Sequence, residues 1–389
     1  MFGPSGNLRT ADSRINSMTN RLWPWPEWTA YWTPPPTWPR RLLCENRYFC
    51  SCSRTGWVVF ASLILTYFII MDILLFTRLQ TTNLVIDSKG GKQEEIYTPL
   101  THLSIKGLLN DHPSQFLIAP STEYFNLITQ FSSVFSFITP NMISVGHLII
   151  GFISCKFIAS DHLQDRRIGV ILYEYRTWVD ALDGTVHRAQ DGLHLQYHSD
   201  HSTLGYAIDS LFDTLAGVFL CFGIFFYLLK TRGPDKCQPP PASSAHPASV
   251  SIDVAIAPTA STPNKEVYSW KVILWKSLAF GACLAVSGKC WDVAVEEFTR
   301  VFQVQVKDDR LATLQLEMSH SGSTVVVFYL WRLFGGQSVL NYVLLAIYAD
   351  KLPEFLRYTH YILLLVAALL YIVTVVYVNH IRDVLHLPQ

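Results

Sequence analysis

Long apolar segments constrain the fold of this chain more than any other feature. The first, Trp57 to Phe76, is an uninterrupted run of about 20 residues, enough for a helix to cross a hydrocarbon core of roughly 30 Å. Further segments follow at about 142–160, 168–187, 204–230, 268–291, 322–349 and 356–379. Backbone polar groups must be satisfied internally in lipid, which favours helices. The sequence therefore predicts an all-α integral membrane protein with about seven transmembrane helices.

The overall composition agrees with a membrane protein. Hydrophobic residues make up 50% of the chain and charged residues 15%, against roughly 25% charged residues in soluble domains. The formal net charge is zero, which argues against binding of nucleic acid, because phosphate contacts require a basic surface. The eight cysteines show neither CxxC pairs nor zinc-ligand spacing, so we expect no zinc site and no disulfide framework.

Four aspartates interrupt two neighbouring apolar segments. Asp180 and Asp183 lie in the first segment, and Asp209 and Asp213 lie in the second. Spacings of three and four residues place each pair on one helix face. Carboxylates in a membrane are costly and usually serve an ion, a proton or a ligand. Four such charges close together require cations, and oxygen ligands favour Mg²⁺ or Mn²⁺ over zinc.

The residues around these acids resemble the signature of the CDP-alcohol phosphotransferase superfamily. In this chain the signature is formed, in order, by Asp180, Asp183, Gly184, Arg188, Gly205, Asp209 and Asp213. Two departures are His187, where the family has a small residue, and a longer separation between Arg188 and Gly205 than the family has. With these departures and the extra span ahead of the core, the chain most resembles the insect-type ceramide phosphoethanolamine synthases.

The resemblance implies both a reaction and a set of site residues. The expected reaction moves phosphoethanolamine from CDP-ethanolamine to the primary hydroxyl of ceramide in the bilayer and releases CMP. Two divalent ions, Mn²⁺ or Mg²⁺, are expected to polarise the phosphate and stabilise the leaving CMP. The implied roles are metal binding by Asp180, Asp183, Asp209 and Asp213, contact with the CDP moiety by Gly184, Arg188 and Gly205, and proton acceptance by Asp213.

The remaining sequence predicts the organisation around this core. The predicted segments are an Arg/Trp/Pro-rich cytosolic tail at 1–56, a first span at 57–76, a lumenal loop at 77–120, and a catalytic core at 121–389 that contains a disordered cytosolic loop at 233–266. Within the core, apolar residues recur on one face of 121–138, which predicts an amphipathic helix at the membrane interface.

Basic residues predict the orientation in the membrane. Seven arginines precede the first span, which favours a cytosolic N-terminus, and both Arg166–Arg167 and Lys230–Lys236 then fall on the same side. The four aspartates would lie at the lumenal ends of their helices. A lumenal site favours a sphingolipid acceptor and a multi-pass protein of the Golgi membrane.

Several alternatives stay open at the level of sequence. The acceptor could be diacylglycerol, or the donor CDP-choline, since lipid pockets are apolar and discriminate through few polar groups. A cation transporter could use the same aspartates, although the glycines and Arg188 then have no purpose. The inserted stretch 189–204 carries His194, His198 and His201, which either cap the cavity as a solvated loop or, with His187, assist catalysis. The oligomeric state, a homodimer included, is also open.

Overall fold

The computed structural model describes residues 47–84, 98–100, 103–190, 204–233, 267–306 and 308–387. Every regular element in these residues is helical, which confirms the predicted all-α class. The α-helices are α1 Arg47–Leu79, α2 Ile105–Leu109, α3 Ala119–Thr129, α4 Phe131–Val134, α5 Pro140–Ile158, α6 Leu163–Gln190, α7 Leu204–Arg232, α8 Trp270–Phe302, α9 Asp309–Ser319, α10 Gly322–Phe334, α11 Gly336–Tyr348, α12 Leu352–Glu354 and α13 His360–Leu385. Two π-helical turns, Ser114–Ile118 and Phe355–Thr359, lead into α3 and α13.

Five described helical stretches have the length and composition to cross a membrane. They are Gly56–Leu79, Pro140–Ile158, Ala207–Arg232, Trp270–Phe302 and Leu352–Leu385. Helix α6, the predicted span at 168–187, is 28 residues long but carries charged residues along its length. The predicted span at 322–349 consists of two 13-residue helices, α10 and α11. The protein is therefore a multi-pass membrane protein.

A glycine pair divides the predicted span at 322–349. Gly335 has ψ 167°, and it caps both the end of α10 and the start of α11. A Cβ added to Gly336 would lie 2.6 Å from the Cα of Gly288 in α8. Only a residue without a side chain allows the backbones of α8 and α11 to approach this closely. The pair thus ends one helix and brings the next against α8.

Helices α5, α6 and α7 are packed through small residues. Ser154 of α5 donates a hydrogen bond to the carbonyl of Gly169 in α6 at 2.8 Å. A Cβ added to Gly169 would lie 2.8 Å from a side-chain carbon of Ile158. One turn earlier on the same face of α5, a Cβ on Gly151 would lie 3.4 Å from the Cβ of Ala216 in α7. These close contacts bring side chains of three helices to one point.

The amphipathic segment at 121–138 is not one continuous helix. Helix α3 ends at Thr129, and Gln130 adopts a left-handed conformation (φ 50°) before the short α4. The side chain of Asn126 accepts a hydrogen bond from the backbone of Ser132 at 2.9 Å and stabilises this break. The apolar stripe is therefore divided between two helices, with Phe135 partly exposed beyond them.

Part of the segment at 77–120, predicted as a loop, is packed into the core. Ile105, Leu108 and Leu109 of α2 are completely buried in the cluster that also contains Leu75 and Leu79 of α1. These residues recur at one face of a single helical turn, too short for periodicity to identify it from sequence. Residues 1–46, 191–203 and 234–266, which contain most of the predicted tail, insertion and disordered loop, lie outside the described residues.

Candidate functional site

Three of the four signature aspartates lie together with a histidine that the sequence analysis did not select. Asp180 and Asp183 of α6 and Asp209 of α7 lie beside His147 of α5. One ligand atom from each of these four side chains lies within 4.8 Å of the others. Both aspartate pairs therefore contribute to one cluster. We use the name carboxylate cluster for Asp180, Asp183, Asp209 and His147 together.

Helix α5 also positions one of the carboxylates. The hydroxyl of Ser144 donates a hydrogen bond to Asp183 Oδ2 at 2.7 Å, and both side chains are buried. Ser144 precedes His147 by three residues, so both lie on one face of α5. A helix without any signature residue thus presents a hydroxyl and an imidazole to the carboxylate cluster.

Several polar atoms of the cluster are buried without a hydrogen-bond partner in the described part of the chain. They are Asp180 Oδ1, Asp209 Oδ1 and both ring nitrogens of His147. Unsatisfied buried carboxylate oxygens are costly, and neighbouring carboxylates repel one another. A divalent cation would satisfy the oxygens and neutralise the charge together. The donor set therefore fits the kind of metal that the resemblance predicts.

The fourth signature aspartate, Asp213, contacts an arginine rather than the other three aspartates. Its carboxylate forms an ion pair with Arg176 of α6, which is 4% exposed. The same guanidinium lies 3.9 Å from Asp180 Oδ1. Asp213 lines the same cavity as the carboxylate cluster. Arg176 therefore links Asp213 to the cluster and fixes the position of its carboxylate.

The signature residues predicted to contact CDP differ in their surroundings. Arg188 contacts Glu123 of α3 at 2.6 Å and donates to the hydroxyl of Thr185 at 3.1 Å. Gly184 and Arg188 both line the cavity, and a Cβ on Gly184 would lie 3.3 Å from Arg188 Nη1. A Cβ on Gly205 would meet no heavy atom of the described residues within 4 Å. Arg188 is thus held at the cavity wall by α3.

The cavity next to the cluster has a volume of about 1010 Å³ and two different walls. Its polar wall contains the four aspartates, Arg176 and Arg188. Its apolar wall includes Val218 and Phe222 of α7 and Leu274 and Leu278 of α8, which expose between 37% and 58% of their surface. The cavity therefore joins a charged site to an apolar surface on α7 and α8.

A third part of the wall comes from α2 and the residues after it. Lys106 of α2 lines the cavity. Two side chains hold the backbone of α2. Trp291 donates a hydrogen bond to the Leu109 carbonyl at 2.9 Å, and Arg332 donates one to the Gly107 carbonyl at 3.2 Å. These bonds fix a cationic side chain at the cavity, in a segment that the sequence predicted as a loop.

Asp111 follows α2 and lies outside the membrane-spanning segments. Burial raises the pKa of the Asp111 carboxyl above its usual range, while a hydrogen bond from Ser114 opposes that shift. Asn341 of α11 also donates to Asp111, at 3.0 Å. The carboxyl of Asp111 thus joins the chain after α2 to α11 and fixes this part of the cavity wall.

The sequence did contain a signal for two of the missed residues. His147 and Arg176 are polar residues within predicted spans, and such residues are functional by default in a membrane. Ser144 and Lys106 carried no comparable signal, since small hydroxyl residues and flanking lysines are common in membrane proteins. Of the histidines considered with the insertion, His187 is exposed on α6 and does not line the cavity. The inserted His194, His198 and His201 lie outside the described residues.

Comparison with known proteins agrees with the geometry of the site. The family model of ceramide phosphoethanolamine synthase matches residues 52–385. A ceramide phosphoethanolamine synthase from Drosophila melanogaster is 33% identical over 272 residues, which are 69% of this chain and 67% of that protein. No solved structure matches the chain. The chain therefore belongs to the ceramide phosphoethanolamine synthase family, whose members are transferases of the CDP-alcohol phosphotransferase class.

Proposed function

We propose that the chain transfers phosphoethanolamine from CDP-ethanolamine to the primary hydroxyl of ceramide, giving ceramide phosphoethanolamine and CMP. The observation that carries the proposal is the junction between the carboxylate cluster and the apolar surface of α7 and α8 in one cavity. A charged nucleotide and a lipid hydroxyl can meet where two such surfaces adjoin. The name of the Drosophila relative supports ceramide as the acceptor.

The reaction exchanges one bond at phosphorus for another. The ceramide oxygen forms a bond to the phosphorus that carries ethanolamine, and the bond from that phosphorus to the CMP oxygen breaks. The proton of the ceramide hydroxyl passes to a base, and CMP leaves with the bonding electrons. Divalent ions, Mg²⁺ or Mn²⁺, held by Asp180, Asp183, Asp209 and Asp213 would neutralise charge on the phosphates and on the departing CMP.

Other signature residues orient the nucleotide and accept the proton. Arg188 binds a phosphate of the donor through its planar guanidinium, in place of part of its contact with Glu123. Gly184 and Gly205 leave backbone accessible to the CDP moiety. Asp213 has a second role besides metal binding and accepts the hydroxyl proton, because it lines the cavity beside the other three aspartates and Arg176 fixes its carboxylate.

The proposed location is the Golgi membrane with a lumenal active site, and the positions of the basic residues support this orientation. Arg166 and Lys230 both contact the turn between α5 and α6, donating to the carbonyls of Asp161 and Ala159 at 3.0 Å and 2.9 Å. Asp180 lies fourteen residues after Arg166 on α6, which corresponds to about 21 Å along the helix. By the positive-inside rule the basic end faces the cytosol, so the carboxylate cluster lies near the lumenal face.

Engineered glycosylation sites test this orientation. Asn-x-Ser/Thr sequons introduced at 189–204 or 292–320 should be glycosylated when the protein is made with microsomes, and sequons within 233–266 should not. The control is a sequon in the N-terminal tail, which should also stay unmodified. Glycosylation within 233–266 would contradict the orientation and weaken the argument for a sphingolipid acceptor.

The reaction is tested with four substrate combinations. Purified protein in detergent with Mn²⁺ or Mg²⁺ is given CDP-ethanolamine or CDP-choline together with ceramide or diacylglycerol, and the lipid product and CMP are measured. We expect ceramide phosphoethanolamine and CMP from the wild type, and CMP release slower by roughly two orders of magnitude or more in Asp209→Asn. Product from diacylglycerol but none from ceramide would refute the acceptor. Transfer of choline would correct only the donor, whereas no CMP release in any combination would favour the transporter alternative.

A further inference from the structure

His147 is the most deeply buried member of the carboxylate cluster. Its side chain is completely buried, and neither ring nitrogen has a hydrogen-bond partner among the described residues. It belongs to α5, which carries none of the signature residues. An imidazole buried without a hydrogen bond has lost its hydration without compensation, so each such group in a protein requires an explanation.

The ring faces the two carboxylate oxygens that also lack hydrogen-bond partners. His147 Nε2 lies 3.3 Å from Asp180 Oδ1 and 4.0 Å from Asp209 Oδ1. Ligands held about 2.1 Å from one ion lie roughly 3 Å apart when they are adjacent and about 4 Å apart when they are opposite. The separations at His147 therefore fit three atoms that share one metal ion.

A purely structural role for His147 explains less. The ring does pack edge-on near Phe212, with 6.5 Å between ring centroids. The described chain contains a second fully buried histidine with unpartnered nitrogens, His360, whose ring lies 3.9 Å from that of Tyr361. His360 does not belong to any metal-ligating group found among the described residues. Packing alone therefore accounts for burial but not for the position of Nε2 between two unsatisfied carboxylates.

We infer that His147 Nε2 is a metal ligand, so that one ion is bound by an imidazole nitrogen together with Asp180, Asp183 and Asp209. The inference rests on one part of the proposed function, namely that a divalent ion binds at the carboxylate cluster. The signature aspartates alone predict a site with oxygen ligands only. A nitrogen ligand from α5 favours a first-row transition metal such as Mn²⁺ over Mg²⁺, which strongly prefers oxygen. It also makes α5 part of the metal site.

Pulsed electron paramagnetic resonance of the Mn²⁺-loaded full-length protein in detergent tests this ligand directly. The wild type should show the ¹⁴N modulation of a coordinated imidazole. His147→Gln should lose it, and its Mn²⁺ dissociation constant should rise by about tenfold or more. His360→Gln is the matched control, because it removes an equally buried and unpartnered imidazole, and it should leave both the modulation and the Mn²⁺ affinity unchanged.

The possible outcomes separate this inference from the proposed metal site. Mn²⁺ bound to the wild type without ¹⁴N modulation would overturn the inference and leave a carboxylate site. No Mn²⁺ binding by the wild type would overturn the proposed metal site as well. Modulation that persists in His147→Gln would assign the nitrogen to another residue and also refute the inference. If His147→Gln does not fold, His147→Phe retains a ring against Phe212 and serves in its place.

Discussion

Ser144 provides a specific test of how α5 supports the carboxylate cluster. Its hydroxyl donates to Asp183 Oδ2 at 2.7 Å in a buried setting. Ser144→Ala removes this donor and leaves the carboxylate oxygen without its partner, while adding no bulk. We expect the protein to fold, because a single methyl group replaces the hydroxymethyl group, and to bind its metal more weakly.

The expected size of the effect follows from the type of hydrogen bond. A hydrogen bond to a charged group contributes about 1.5–3 kcal/mol. Since about 1.4 kcal/mol corresponds to a factor of ten, loss of this bond should weaken metal binding by roughly 10- to 100-fold. That range also matches the usual effect of removing a group that orients a metal ligand.

The assay measures initial rates of CMP release against Mn²⁺ concentration at saturating donor and ceramide. For Ser144→Ala we expect the half-saturating Mn²⁺ concentration to rise by at least about tenfold, with most of the maximal rate recovered at high Mn²⁺. Ser154→Ala is the matched control, because Ser154 is also completely buried in α5 but donates to the Gly169 carbonyl at 2.8 Å. An unchanged Mn²⁺ requirement in Ser144→Ala, or an equal increase in Ser154→Ala, would refute the reasoning.

Three further predictions concern the cluster, the packing of α11 and the entry of lipid. Asp209→Asn preserves the shape of the side chain but removes its charge, so turnover should fall by roughly two orders of magnitude or more. A chelator should lower the turnover of the wild type in the same way. Near-normal turnover in either experiment would contradict a metal role. Gly336→Ala introduces a Cβ 2.6 Å from a backbone atom of α8, so it should destabilise the protein by about 1–3 kcal/mol and lower its thermal midpoint in detergent. Gly146→Ala, whose Cβ would meet nothing within 4 Å, should not lower the midpoint, and equal midpoints for the two variants would refute the packing argument. Replacing Phe131 and Phe135 with Ser should raise the half-saturating concentration of ceramide more than that of CDP-ethanolamine, because Phe135 is 41% exposed and its ring lies 5.3 Å from that of Phe131, which packs against Leu182 of α6 in a core cluster. Equal effects on both substrates would contradict a lipid-entry role.

Local sequence patterns determined the fold class and part of the site. Apolar runs long enough to cross a bilayer require helices, because lipid cannot satisfy a free backbone. The spacing of Asp180 and Asp183 places both on one face of α6, whatever that helix packs against. Gly335 and Gly336 form a glycine pair, which favours a break in a helix, and the structure contains two helices at 322–349. Each of these conclusions depends only on residues within about one turn or one span of each other.

Where tertiary contacts compete with a local pattern, the sequence prediction was incomplete. The apolar stripe at 121–138 predicted one helix, but Gln130 interrupts it because Asn126 accepts a hydrogen bond from the backbone beyond the break. Helix α2 is a single turn, and its position depends on Trp291 and Arg332, which lie far away in the chain. No periodicity within so few residues could have indicated it.

Only the tertiary structure decided which side chains meet the aspartates. His147 and Ser144 contact the cluster because small residues allow α5 to lie against α6 and α7, and Arg176 contacts Asp213 because α6 and α7 are adjacent. The sequence places His147 and Ser144 in an apolar span, whose neighbouring residues favour burial, and places Arg176 in the span that carries Asp180 and Asp183. The partner of each group depends on the rotation and separation of whole helices, which are set by packing between segments distant in the chain.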